Sequence, residues 1–174
     1  IIDIRKIIWK LKKIEIFTDN LNKEKIINFE NQNQELFSIL KNDNLFQLLK
    51  KNLSKNKYFN EIPFNENLSF LKNYDLIINT DFSNIITKKY FSKRMVKTYK
   101  CFAYTAIIKH HDIENNIATQ IFTKRGPLAF LPISNHETSI VYSIHDFKNK
   151  KKDKIEDLIK YYNFKYKIKN IQKL

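Results

Sequence analysis

The chain has 174 residues, 43% of them hydrophobic and 14% aromatic, which excludes a disordered polypeptide and leaves room for one domain with a core or for parts of two. One cysteine, Cys101, excludes a disulfide framework within the chain and any CxxC-type zinc site. The net charge of +14 points toward nucleic acid or an anionic surface. It rests almost wholly on lysine, however, with arginine only at positions 5, 94 and 125, and bidentate phosphate readers favour arginine. Codon bias with a solvated lysine face is the expected source of the charge, with an anionic partner as the other reading.

Taken in chain order, Ile4, Ile7, Ile8 and Leu11 recur at helical intervals and predict a short helix over 3–13. Residues 14–19 and 24–31 are short apolar runs flanked by Asn and Asp, predicting two strands of a hairpin around 20–23. A third strand is expected at 35–40. From Asn42 an Asn/Asp cap opens a helix with Leu45, Leu48, Leu49 and Leu53 on one face.

The run Leu76–Ile78 reads as a strand buried on both faces, as in a parallel sheet, with Asp81 at its carboxyl end. A short helix is expected from Ile85 to Phe91. Four strands then follow at 97–110, 116–125, 127–133 and 138–145, with a tight turn at 134–137, predicting an antiparallel sheet. Ile155, Leu158, Ile159 and Tyr162 fall on one face of a helix, and the tail from Phe164 is either a further strand or loose. No apolar run reaches the ~18 residues of a spanning helix.

Several chemistries lack their residues. One glycine, Gly126, cannot supply GxGxxG, a phosphate-binding loop or a GxSxG nucleophile elbow. His110 and His111 stand beside Asp112 and Glu114, but neighbours on a strand point to opposite faces and cannot chelate together. Surface loop histidines are the expectation there. Asp81 is open to two readings, a cofactor-facing acid or a helix cap. The lysine run 148–154, with Tyr161, Tyr162, Phe164 and Tyr166 nearby, reads either as an anion-binding face or as solvated charge beside core aromatics.

"RGPLAFLPIS", Arg125 to Ser134, gathers the only glycine and two of the three prolines. A glycine at a strand start permits a turn or a close backbone approach, and each proline removes a ladder donor. The strand is therefore expected to pair fully on one side only, or to be irregular, and to suit the lining of a pocket.

"GPLAFLPIS" followed by "SIVYSI" resembles the ubiquinone-biosynthesis flavin hydroxylases, the 2-polyprenyl-phenol hydroxylase group of the para-hydroxybenzoate-hydroxylase-like flavoprotein monooxygenases. "YDLIINTDFSNIITKKYF" is similar to that family's strand and A-D-G-x-x-S-x-x-R motif. "YKCFAYTAIIKH" is similar to its Y-x-Q-x-A-x-x-A-x-V strand at Tyr99, Ala103, Ala106 and Ile108. The resemblance covers residues 35–147. It departs at Phe82, Ile85 and Lys88, where the motif has glycine, serine and arginine, and the family's GxGxxG and G-D-A-x-H segments are missing.

The resemblance implies an internal fragment, inactive alone, of an FAD-dependent monooxygenase that hydroxylates a polyprenylated phenol with NAD(P)H as reductant. It implies Asp81, Ser83 and Lys88 as cofactor contacts, and Phe122, Gly126, Pro127, Leu128, Phe130 and Pro132 as substrate contacts. No nucleic acid is expected. A cytoplasmic protein at the periphery of the inner membrane, in contact with membrane or a biosynthetic complex, follows from so greasy a substrate. The expected fold is α+β: a mostly antiparallel substrate-domain sheet with flanking helices (1–41 and 93–174) plus a strand–helix piece of an α/β FAD-binding domain (42–92). A different class of reading is a non-catalytic basic module that binds an anionic membrane surface or nucleic acid. It requires Lys148 to Lys154 and the tail aromatics to share one exposed face.

Overall fold

The computed structural model describes residues 3–19, 24–32, 34–64, 68–91, 93, 95–97, 99, 101–145 and 154–173, with backbone alone at 145. The chain divides into two compact units, residues 1–53 with 100–174, and residues 54–99. The first is α+β with a mostly antiparallel sheet, as the strand pattern predicts.

The first unit opens on a difference from the sequence reading. Residues 5–7 form a turn and Ile8–Leu11 is a strand, β1, where a helix was expected. It pairs antiparallel with β4 (Phe37–Leu40), placing Ile8 against Leu40 and Trp9 against Ile39. The apolar spacing in so short a segment fits either period. Ile and Trp favour a pleated surface, and the long-range partner decides the outcome. The following strands are β2 (Lys13–Thr18) and β3 (Lys25–Glu30), the expected hairpin. The next element is α1 (Asn42–Leu53), on which Leu45 and Leu48 are half-buried and Leu49 and Leu53 exposed.

After the second unit come β5 (Cys101–His110), β6 (Ile117–Thr123), β7 (Gly126–Pro132) and β8 (Glu137–His145). A helix over Ile155–Tyr162 and a last strand, β9 (Ile168–Lys173), complete the unit. The seven-stranded sheet runs β3-β2-β6-β7-β8-β5-β9. Strands β6, β7 and β8 are joined by tight turns, and β5 returns beside β8, a Greek-key arrangement. Among the described residues only the β2–β6 pair is parallel.

Register assigns the faces. Phe17, Ile121, Leu128 and Tyr142 align across four strands, as do Thr119, Phe130, Ile140 and Ala106. These residues are buried, and Ile159 of the 155–162 helix joins their cluster fully enclosed, with Ile155, Leu158 and Tyr162 packed beside it. The helical spacing in the sequence thus identifies the face that seals this side of the sheet. Each large apolar side chain among them contributes ~1.5–3 kcal/mol by leaving water.

The opposite face differs. It carries Ile14, Ile16, Gln120, Ala129, Leu131, Val141, Thr105 and Ile107 half-buried, with Phe122 and Ala103 exposed. Among the described residues Ala118 is the one buried on it.

The second unit carries a 3-10 turn at Leu68–Asn73 and a helix, α2, over Ile85–Tyr90; the 155–162 helix is α3. The expected strand at 76–78 is not formed, and Leu76 and Ile78 are 76% and 79% exposed. A doubly buried strand needs a ladder on each side, and among the described residues of this unit there is no strand to pair with it. No helix among the described residues is long and apolar enough to cross a membrane.

Candidate functional site

Strand β7 is the segment that the sequence marks, and its rare residues have a structural account. Gly126 has φ +143°, a conformation that residues with a Cβ rarely adopt. A Cβ there would stand 2.0 Å from the Ser143 carbonyl oxygen of β8. The close approach is therefore of backbone to backbone. Thr123 Oγ1 donates to the Gly126 carbonyl at 2.7 Å and closes the β6–β7 turn.

The prolines sit at opposite ends of a two-sided strand. Pro127 is registered only against Phe122 of β6, and Pro132 only against Thr138 of β8. Residues 128–130, between them, pair on both sides. The strand is thus regular and central, because each missing donor falls where one neighbour is out of register.

The six residues implied as substrate contacts divide by face. Leu128, Phe130 and Pro132 are buried, the first two in the cluster that Ile159 of α3 joins. On that side the space beside Phe130 and Tyr166 amounts to about 10 Å³, no more than one water's room. Phe122 and Pro127 lie on the opposite, uncovered face with Ala129 and Leu131. Gly126 is half-buried at the turn.

Asp81, Ser83 and Lys88 lie in the second unit, all exposed. The Asp81 carboxylate accepts from the Ser83 backbone N–H at 2.8 Å and from its hydroxyl at 2.7 Å. The Ser83 hydroxyl, then its backbone N–H, hold the Asp81 pKa below the ordinary carboxylate value. Asn84 caps α2 by accepting from the Thr87 N–H at 3.0 Å. Thr87 Oγ1 donates to the Asp81 carbonyl at 2.7 Å and accepts from Asn79 at 2.6 Å. Asp81 thus shapes the loop before the helix, while the cap itself is Asn84. Phe82, at the motif's glycine position, is 77% exposed.

These residues do not make a cradle for FAD. The dinucleotide requires backbone N–H groups converging on its phosphates from a glycine-rich loop after a strand. The chain's only glycine is spent against Ser143, and 76–78 is not a strand.

Sequence reasoning missed one polar centre. His110, expected on a surface loop, is 2% exposed and belongs to the interior. Its Nδ1 lies 2.8 Å from the His111 carbonyl, which can only accept, so Nδ1 carries the proton and Nε2 accepts from Thr138 Oγ1 at 3.0 Å. Asn115, fully buried, donates to Thr138 Oγ1 at 2.9 Å and to the Ser134 carbonyl at 2.8 Å. Its own oxygen accepts from the Tyr166 hydroxyl at 3.1 Å and from Lys165 at 3.4 Å. Burial pushes His110 and Lys165 below their ordinary pKa values and Tyr166 above. The alternation Ala106, Ile108, His110 along β5 is the signal that places this histidine inside.

His111 and His136 are exposed, and the side chain of His145 lies outside the described residues. Among the described residues, no three metal-ligating side chains converge. Tyr166 is buried, Tyr162 is half-buried and donates to Asp19, and Tyr161 and Phe164 are exposed. Lys148, Lys150, Lys151 and Lys152 fall outside the described residues. No protein-family model matches the chain, and no curated protein matches it.

Proposed function

We propose that the chain is part of an FAD-dependent aromatic-ring monooxygenase, and that its larger unit is the surface on which a polyprenylated phenol lies. The observation that carries this reading is the uncovered face of the sheet. Across β6, β7, β8 and β5 that face presents small side chains at Ala129, Ser139, Ser143, Thr105 and Ala103, with Val141 in their midst and Phe122 and Leu131 beside them. A flat, apolar floor with a few hydroxyls suits a phenol ring with a hydrocarbon tail. Phe122 and Pro127 then touch substrate, while Leu128, Phe130 and Pro132 hold the floor rigid from the core side. Gly126 fastens β7 to β8.

Asp81, Ser83 and Lys88 are proposed as cofactor-side contacts. This reading assigns the phosphate-binding loop, and with it most of the FAD and the NAD(P)H site, to segments outside these residues. What this chain supplies is orientation of the ring and exclusion of water beneath it. A cytoplasmic location at the inner-membrane periphery, with contact to membrane or a biosynthetic complex, fits such a substrate.

The basic-module reading requires one exposed aromatic and lysine face. Tyr166 sits in the core and Tyr162 is tied to Asp19, which divides the aromatic set.

The test uses the protein that carries this chain. Its visible spectrum reports bound flavin, and backbone hydrogen exchange with and without a geranylated phenol reports the binding face. The expected result is flavin absorbance, with slowed exchange confined to β6–β8 and β5. Ala129→Trp, which covers the floor, should abolish that protection. A flavin-free protein whose exchange ignores the phenol would end the proposal.

A further inference from the structure

We propose that the outer edge of β3 is an interaction surface for a second copy of this chain, which pairs with it antiparallel and continues the sheet across a twofold axis. β3 ends the seven-stranded sheet, and among the described residues it pairs only with β2. All six of its residues are exposed, Ile27 and Phe29 at 46% and 47%. Such a strand offers a row of backbone donors and acceptors to a further strand. The other edge, β9, carries Lys169 and Lys173, with Lys167 just before it, and charges of this kind keep a second strand away. β3 has one lysine, and it is turned toward β2, with Lys25 Nζ 2.5 Å from Glu15.

Charge favours a copy of the chain at this edge. Two chains of net charge +14 repel one another. Residues 13–30, which hold β2 and β3, carry three lysines against four acids, so two copies meet there without that repulsion between the touching segments.

β3 is also complementary to itself in one register. Ile27 and Phe29 stand opposite Ile16 and Ile14, on the uncovered face, while Asn28 and Glu30 stand opposite Glu15 and Lys13 on the other. The register shift between Ile16 and Phe17 sets Lys25 opposite Phe17, on the same side as Asn28 and Glu30. A twofold axis perpendicular to the sheet keeps each face continuous, so directly opposed residues must share a face. Centred on Asn28, the pairing opposes Ile27 of each copy to Phe29 of the other and brings Lys25 beside Glu30 of the second copy at both ends. Centred on Ile27, it would oppose Glu24 to Glu30, like charge to like. Centred on Phe29, it would draw Lys25 and Glu30 apart. Edge pairing covers neither face of the sheet, so this inference stands apart from the monooxygenase reading.

Sedimentation velocity of the protein that carries this chain, from about 5 to about 500 µM, spans the weak association that so short an edge supports. The expected result is a monomer–dimer equilibrium, with hydrogen exchange at the backbone of 26–30 slowing as the dimer forms. Lys25→Glu and Glu30→Lys each set like charges side by side at both ends of the pairing, and each should weaken self-association about tenfold. An equal mixture of the two variants restores opposite charges at both ends and should dimerise like the parent. A variant that had merely lost its fold, seen as a fallen urea midpoint, could not be rescued in this way, and exchange in the parent decides without it. A monomer at every concentration, or a dimer whose exchange slows elsewhere and not at 26–30, would overturn the proposal. So would a dimer indifferent to both variants. Two folded variants that stay monomeric when mixed would overturn the register centred on Asn28.

Discussion

Gly126→Ala tests why the chain keeps its single glycine. The new methyl carbon would lie 2.0 Å from the Ser143 carbonyl oxygen, against an ordinary contact of 3.4–4 Å. The blocking atom is backbone, so no rotamer relieves it, and β7 and β8 must part by more than an ångström. Beside that contact, Leu128 and Tyr142 are paired and almost wholly buried, and parting the strands loosens both. Loss of core packing of this kind costs ~2–4 kcal/mol, and a non-glycine residue at φ +143° adds ~1–2 kcal/mol. The expected loss is about 3–6 kcal/mol, a large part of the ~5–15 kcal/mol that holds a domain together.

Urea unfolding followed by far-UV circular dichroism measures it, as a lowered midpoint at unchanged slope. Adding Ser143→Ala should rescue nothing, because the obstacle is the carbonyl and not the side chain. A Gly126→Ala protein within ~1 kcal/mol of the parent would refute the reasoning. So would restoration of stability by Ser143→Ala.

Three further outcomes follow from the same geometry. Leu128→Ala should cost ~2–5 kcal/mol and Leu131→Ala under ~1.5 kcal/mol, because the two leucines of β7 face the sealed and the uncovered side; equal losses would contradict the assignment of faces. Thr138→Val, nearly isosteric in a fully buried site, should cost ~2–3 kcal/mol by leaving His110 Nε2 and one Asn115 N–H unpaired, again read by urea midpoint. Burial lowers the His110 pKa in the folded chain from its ordinary 6.5, so the unfolded chain binds the extra proton first; unfolding free energy should be level above about pH 6.5 and fall as pH drops from there toward the folded value, a slope that a flat titration would rule out.

Much of the larger unit is legible in the sequence because its strands are long and alternate. Ala106, Ile108, Leu128, Phe130, Ile140 and Tyr142 each stand two residues from another core position, and the sheet follows from that period. Ile155, Leu158, Ile159 and Tyr162 recur at the helical period and give α3 in the same way. Where period alone is ambiguous, partners decide. Ile8 and Leu11 fit a helix equally well, and only β4, distant in sequence, makes them a strand. Leu76 to Ile78 fail for the converse reason, since a buried strand's composition creates no strand without a ladder beside it. The His110–His111 adjacency excludes a shared metal but does not say which of the two points inward, whereas the alternation of Ala106 and Ile108 along β5 continues to His110 and puts it inside.

The candidate site was legible as a segment but not as a surface. A glycine and two prolines in β7 mark a strand under constraint, yet the constraint proves internal. Gly126 meets Ser143, and the prolines occupy the two positions where a donor has no neighbour to serve. Residues that resist a compositional drift can therefore report the fold rather than the ligand. What the ligand would meet is the other half of the alternation, Pro127, Ala129 and Leu131, of which only Pro127 carries such a mark. Substitutions there should change binding while leaving stability nearly untouched, whereas those at Gly126, Leu128 and Phe130 should do the reverse. That separation, strand residue by strand residue, is the physical content of calling one face of β7 a floor and the other a foundation.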